Sequence, residues 1–167
     1  NPGQTSGGLA GEDANLTGAW QSYQGTGVMI GIVDDGLDHE HPDLTTNYDT
    51  SNDYDFCGND GNPSPSNWDA HGTAAAGVAA ATGNNSVGVS GAAPDANLIG
   101  LELISCNTPD SKEAAALGHE NQIIDIYSNS WGPSDDGSTL EAPGPLTMAA
   151  FEDDVANGRG GLGNIIT

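Results

Sequence analysis

Positive charge is almost missing from this chain, which carries 2 Lys and Arg against 24 Asp and Glu over 167 residues, for a formal net charge of -22. Such a polymer repels phosphate backbones and anionic lipid alike, so nucleic acid and membrane surfaces are excluded as expected partners and a cationic or peptide partner is favoured. Long apolar runs are missing too. No stretch approaches the roughly 18 to 20 apolar residues of a membrane span, and no basic segment leads into an apolar one, so the sequence reads as a mature or an intracellular chain. Cysteine is scarce. Cys57 and Cys106 both lie in polar segments, with no CxxC spacing for redox or zinc chemistry. They read as one disulfide, which implies a secreted or periplasmic protein, or else as two free thiols.

What is present is enough for one domain or part of one, because 35% of the residues are hydrophobic. Many acids fall in Gly/Asn-rich segments, where carboxylates and carbonyls build calcium sites. The remaining acids suit an exposed surface in salty surroundings.

The pattern is α/β. The apolar run GVMIGIV at 27–33 is too continuous for a half-exposed strand and predicts a central one, covered on both faces. A long acid-, Gly- and Pro-rich surface excursion follows over 38–69, and then a helix from His71. Strands are predicted at 97–103 and 123–128, helices from about Ser111 and over 146–156, and a last strand opening at Asn164. Strands alternating with helices imply a mostly parallel sheet in a three-layer fold, whose ligands gather beyond the carboxyl ends of the strands. Asp34, Asp35, Ser128 and Ser130 fall at such ends. A buried parallel strand opening at 164–167 also predicts that the fold continues past Thr167, as in a nicked or cut domain.

The stretch HGTAAAGVAAAT at 71–82 sets an imidazole at the mouth of a helix made of small apolar residues. The helix packs, and any chemistry belongs to His71 and what meets it. An imidazole is poised to take the proton of a hydroxyl attacking a carbonyl, provided that a carboxylate fixes its tautomer. Asp34 and Asp35 are the two carboxylates at the end of the buried strand.

Four stretches, IVDDGLDHEHPDL at 32–44, HGTAAAG at 71–77, SNSWGPSDDG at 128–137 and GRGGLG at 158–163, resemble in order and spacing the subtilisin-like serine peptidases, and specifically their kexin/furin-like branch. The resemblance covers nearly the whole chain. It implies that Asp34 orients His71, which serves a nucleophilic serine. That serine belongs to a GTS stretch and the oxyanion donor to an SGN stretch, and neither occurs here. The resemblance therefore implies the N-terminal portion of one catalytic domain, residues 1–167, inert until the rest of the same domain is supplied, as a second chain or as further residues.

The resemblance also implies a substrate groove formed by Ser128, Ser130, Trp131 and Gly132. Asp135 would lie at the floor of the first subsite, Asp35 beside the second, and Asp110 and Glu113 near the fourth. Arg and Lys entering such sites gain charge-assisted hydrogen bonds, so peptide or protein substrates with basic, dibasic sequences are expected. For Asp110 and Glu113 the alternative is an ordinary acidic helix start. A calcium ion is implied at Asp43, with the Asn85 side chain and the carbonyls of Thr82, Val87 and Val89. A further ligand would precede Asn1 or fall near it, and Asp135 would contribute to a second ion. All-oxygen sets fit a hard cation. His39 and His41 read as solvated turn residues. A propeptide or inhibitor chaperone is a further expected partner. A different class of reading is an inactive relative or a calcium-stabilised peptide-binding or adhesion module, which would keep Asp43 but has no use for Asp34 and His71 together.

Overall fold

Five parallel strands form the centre of the computed structural model, which describes residues 14–66 and 68–167. The strands are β1 (Met29–Asp34), β2 (Tyr54–Asp55), β3 (Asn97–Glu102), β4 (Ile126–Asn129) and β5 (Ile165–Ile166), in the order β2-β3-β1-β4-β5. β1 is central, pairing Met29 with Asn97 and Asp34 with Glu102 on one side and Ile30 with Ile126 on the other. Its expected boundary moves by one or two residues. The strand expected at 123–128 begins only at Ile126, because the Ile123 and Ile124 amides both donate to the Glu120 carbonyl in a turn.

Helices cover both faces. α1 (His71–Ala80) packs on one, with Ala76 and Ala80 against Ile30, Ile32 and Leu98. On the other, α2 (Asp110–Leu117) sets Ala116 and Leu117 against Val33, Ile99, Leu101 and Tyr127, and Phe151 of α3 (Pro145–Gly161) joins them. Strand residues therefore alternate between two cores, which explains why the central runs are apolar throughout. The excursion over 38–69 is not all loop. Tyr54 and Asp55 add a short edge strand by pairing with Leu101 and Glu102.

α3 loses helical backbone at Gly158, where ψ is 147°, and Arg159 takes φ 52°. That turn aims the Arg159 guanidinium at Asp125, 2.7 Å away. Asp125 also accepts the amide of Met29 at 2.8 Å and gives its carbonyl to Ile165, so one residue fixes the starts of β1 and β5 around β4.

Candidate active site

Asp34 is the last residue of β1 and is 1% exposed, while the backbone of α1 begins directly beside it. Close approach requires Gly72: a Cβ there would stand 2.8 Å from Asp34 Cβ and nearer still to the Gly36 carbonyl. The next residue, Thr73, accepts the Asp38 amide on its Oγ1 at 2.9 Å. His71, Gly72 and Thr73 thus have three separate tasks at one helix start.

His71 Nδ1 lies 2.8 Å and 3.0 Å from the two oxygens of Asp34. A buried carboxylate there can only accept, so Nδ1 carries the proton and Nε2 keeps its lone pair. The histidine side chain is 59% exposed, and Nε2 makes no hydrogen bond to a described residue. The hydrogen bond to Asp34, followed by its charge, raises the His71 pKa above the ordinary 6.5. Burial raises that of Asp34, partly offset by the His71 hydrogen bond. The pair is a general base with its tautomer fixed and its working nitrogen open to solvent.

Asp35 faces away from the ring. Its carboxylate accepts the backbone amides of His71 at 3.1 Å and Gly72 at 2.7 Å, which serves the N-terminus of α1 in place of a cap from Ala70.

A cleft of about 630 Å³ opens beyond the end of β4, lined among others by Thr108, Glu113, Asn129, Trp131, Gly132 and Glu141. It is tied to the pair by the Trp131 indole, which donates to the carbonyl of Val33 at 3.0 Å. Ser128 lies on β4 and Ser130 just past its end, and neither lines the cleft. Asp110 and Glu113 share the Thr147 hydroxyl, at 2.8 Å and 3.3 Å, and otherwise part company. Glu113 lines the cleft, whereas Asp110 accepts the backbone amides of Leu146 and Thr147, both at 2.9 Å, and the Thr147 hydroxyl at 2.8 Å. These bonds hold its carboxyl below the usual range, the Leu146 amide foremost. Glu141 was not foreseen: it sits in coil, and the path of 131–143 brings it to the wall that Glu113 also lines. Asp135 is exposed in the same segment. Asp136 beside it closes a turn, and the hydrogen bond it accepts from the Thr139 hydroxyl, followed by those from the Ser138 and Thr139 amides, holds its pKa far down.

Asp43 is 2% exposed beneath the loop over 82–89. Its oxygens accept Asn85 Nδ2 at 2.7 Å and the Val89 amide at 2.8 Å, and Asn85 Oδ1 accepts the Val87 amide at 2.9 Å. Gly88 passes so close that a Cβ would collide with Asp43 Oδ2, and the hydroxyl of Thr82 is buried without a partner. A buried carboxylate inside an oxygen-rich coil, with one orphaned oxygen, is compatible with a hard cation. The expected ligand near Asn1 lies outside the described residues. A second group could also hold an ion, since ligand atoms of Asp55, Cys57 and Glu102 all lie within 4.8 Å of one another.

Cys57 and Cys106 form a disulfide, with Cα atoms 5.7 Å apart. His39 and His41 are more than solvated turn residues. His39 stacks on Tyr48 with ring centroids 5.4 Å apart, and His41 Nδ1 accepts the Asp43 amide at 3.2 Å. No helix among the described residues is long and apolar enough to cross a membrane.

The model of the subtilase family, Peptidase S8, matches residues 25–166. Among curated proteins, endoprotease bli-4 of Caenorhabditis elegans is 47% identical over 163 residues, covering 95% of this chain and 17% of its own length. Proprotein convertase subtilisin/kexin type 6 of Homo sapiens is 45% identical over 158 residues, 92% of this chain and 16% of that protein. Among solved structures, the serine protease of Aeromonas sobria superposes with a TM-score of 0.75 at 32% identity, covering 95% of this chain and 29% of the other. The same organism's protease in complex with its chaperone gives a TM-score of 0.67 at 30% identity, covering 80% of this chain and 24% of the other. The chain thus spans about a sixth of the length of these curated relatives and less than a third of the solved chains.

Proposed function

We propose, from the premise that the chain belongs to the subtilase family and to its kexin/furin-like branch, that it is the N-terminal portion of the catalytic domain of a serine endopeptidase cleaving after basic residues. The observation that carries this reading is the buried Asp34 holding His71 by Nδ1 while Nε2 faces solvent. In that tautomer Nε2 takes the proton of an attacking serine hydroxyl and returns it to the leaving amine, and Asp34 stabilises the imidazolium between the two steps. The serine and the oxyanion donor come from the remaining part of the domain.

A face left open on α1 supports a further segment. This helix is apolar on every side, yet Val78 is 73% exposed and borders a groove of about 530 Å³ with Ala74, Gly77 and Val89. Helices apolar all round belong in an interior. The preference for basic residues is supported by the carboxylates of Glu113 and Glu141 lining one cleft, with Asp135 in the adjoining coil. Calcium would be held by Asp43, Asn85 and the carbonyls of Thr82, Val87 and Val89, with Asp135 serving a second ion, and would supply stability rather than chemistry. Secretion, or export to the periplasm, is supported by the disulfide. The complex solved for the Aeromonas sobria protease supports a chaperone or propeptide as a folding partner.

The test joins this chain to the residues that follow it and assays peptides cut after Arg, Lys or Leu. Hydrolysis after Arg, abolished in H71A, is expected. A complete domain that binds such peptides without cutting them would leave the inactive or adhesive reading in its place.

A further inference from the structure

Tryptophan occurs three times in this chain, and two of the three are anchored by their indole N–H. Trp20 donates it to the carbonyl of Ala92 at 2.8 Å, and Trp131 to that of Val33 at 3.0 Å. Trp68 differs. It is 94% exposed, and among the described residues its indole makes neither a hydrogen bond nor a ring contact. A buried indole pairs its N–H and fills space, and this one does neither.

The backbone that carries Trp68 is nevertheless fixed at both ends, and both ends lie at the Asp34–His71 pair. Pro65 packs on Gly36, where a Cβ would stand 2.7 Å from Pro65 Cα, and the Leu37 amide donates to the Pro63 carbonyl at 2.8 Å. The segment therefore starts against the residues that follow Asp35. It then turns: the Asp69 amide donates to the Ser66 carbonyl at 3.0 Å and the Ser66 hydroxyl to the Asp69 carboxylate, which closes a turn with Trp68 inside it. His71 opens α1 three residues after Trp68, so the two Cα atoms are at most about 11 Å apart. An indole without neighbours thus stands beside the histidine whose Nε2 faces solvent.

We propose that Trp68 is a specificity-determining residue, whose indole face receives the basic side chain standing second before the cut. The proposal rests on the peptidase reading given above. Asp35, the acid expected beside that subsite, has each carboxylate oxygen on an amide of α1, and Asp69 accepts the Ser66 hydroxyl. Both acids lend negative potential to the place, while neither offers an unengaged fork for a bidentate pair. The ring supplies the directed contact. A guanidinium or ammonium is attracted to the face of an indole, which is the best of the aromatic partners, and the apolar stem of Arg or Lys lies along the same surface.

The test compares the complete domain with its W68A and W68F variants on peptides that carry Arg at the cut and Arg, Lys, citrulline or norleucine at the second position before it. Citrulline keeps the planar shape of Arg without its charge. W68A should lower kcat/KM for the Arg and Lys peptides by about two- to fivefold, as an exposed cation–π contact predicts, and the loss should persist at high salt, which screens long-range attraction. Citrulline and norleucine peptides should be cut at the parent rate, W68F should keep part of the preference, and Tm should stay where it is because the side chain is 94% exposed. Equal losses on all four peptides would make Trp68 an apolar wall or a loop residue, and no loss on any would place it outside the groove; either result overturns the proposal. A parent domain that cuts none of them would refute the peptidase reading, and the dissociation constants of the same four peptides for the parent and W68A, followed by fluorescence anisotropy, would then decide the role of Trp68 by the same ratios.

Discussion

Asp35 holds the backbone of His71, with Oδ2 accepting its amide at 3.1 Å, and leaves the ring of the same histidine to Asp34. Two adjacent acids at one strand end thus divide the anchoring of one residue. Asp35→Ala should cost about 1 kcal/mol as a lost cap, a fall in Tm of about 2–4 °C for a domain of this size. Asp35→Ser should recover much of it. If Asp35 also reads substrate, the complete domain carrying Asp35→Ser should still lose rate on peptides with a basic residue two positions before the cut. A stability loss with no such selectivity would confine Asp35 to the helix terminus.

The His71 ring should titrate above 6.5, because its hydrogen bond to Asp34 favours the imidazolium. Proton resonances of the ring follow this directly, and Asp34→Asn should bring the midpoint back down. The sign for stability follows: a raised folded pKa stabilises the fold at pH below the unfolded value, and the gain is lost as pH rises through the folded one. The ring is mostly exposed, so solvent screening keeps this gain small. Activity in the complete domain has the opposite slope, rising as Nε2 loses its proton.

The resemblance carried by IVDDGLDHEHPDL and HGTAAAG made the Asp34–His71 pair legible, whereas periodicity alone gave only a buried strand ending in two acids and a helix opening on a histidine. β2 was not legible, since two residues carry no period and Tyr54 and Asp55 become a strand only by pairing with Leu101 and Glu102. Glu141 was hidden for a related reason. It lies 28 positions past Glu113 in coil, and only the path of the chain around Trp131 brings both to one cleft. Asp110 was read as a substrate acid or an ordinary helix start; it lies in the first turn of α2 but serves the N-terminus of α3, a contact between elements that spacing does not encode.

That division between neighbouring acids can be measured. Asp110→Asn should lower Tm by loosening the start of α3. Glu113→Gln combined with Glu141→Gln should leave Tm nearly unchanged and lower kcat/KM in the complete domain for peptides with a basic residue remote from the cut. Thermal melts and a peptide panel separate the two effects. A selectivity loss in Asp110→Asn equal to that of the double variant would show that Asp110 reads substrate after all.

If Asp43 holds calcium as proposed, the ion adds stability only through the native state, about 2.7 kcal/mol at a hundredfold excess over Kd. Chelation at fixed ionic strength should lower Tm and expose the loop over 82–89 to protease, and Asp43→Asn should abolish the difference between the calcium-loaded and chelated protein. Equal melting curves with and without chelator would remove calcium from this corner and leave the Asn85 and Val89 hydrogen bonds as its whole stabilisation.

Asp135 gives the sharpest test of specificity, because a chain of net charge -22 attracts basic peptides whether or not any acid touches them. Long-range attraction is screened over about 10 Å at 0.1 M salt, whereas a carboxylate paired with a desolvated guanidinium is not. In the complete domain Asp135→Asn should therefore lower kcat/KM for cleavage after Arg by about tenfold or more, since a hydrogen bond to a charged partner contributes about 1.5–3 kcal/mol, and the loss should persist at high salt. Asp60→Asn, on the exposed edge of the excursion, should cost little at low salt and nothing at high salt. Cleavage after Leu should be indifferent to both. Equal losses after Arg, Lys and Leu in Asp135→Asn would mean that this carboxylate holds its loop or an ion and does not read the residue before the cut, and the preference would then have to come from the cleft lined by Glu113 and Glu141.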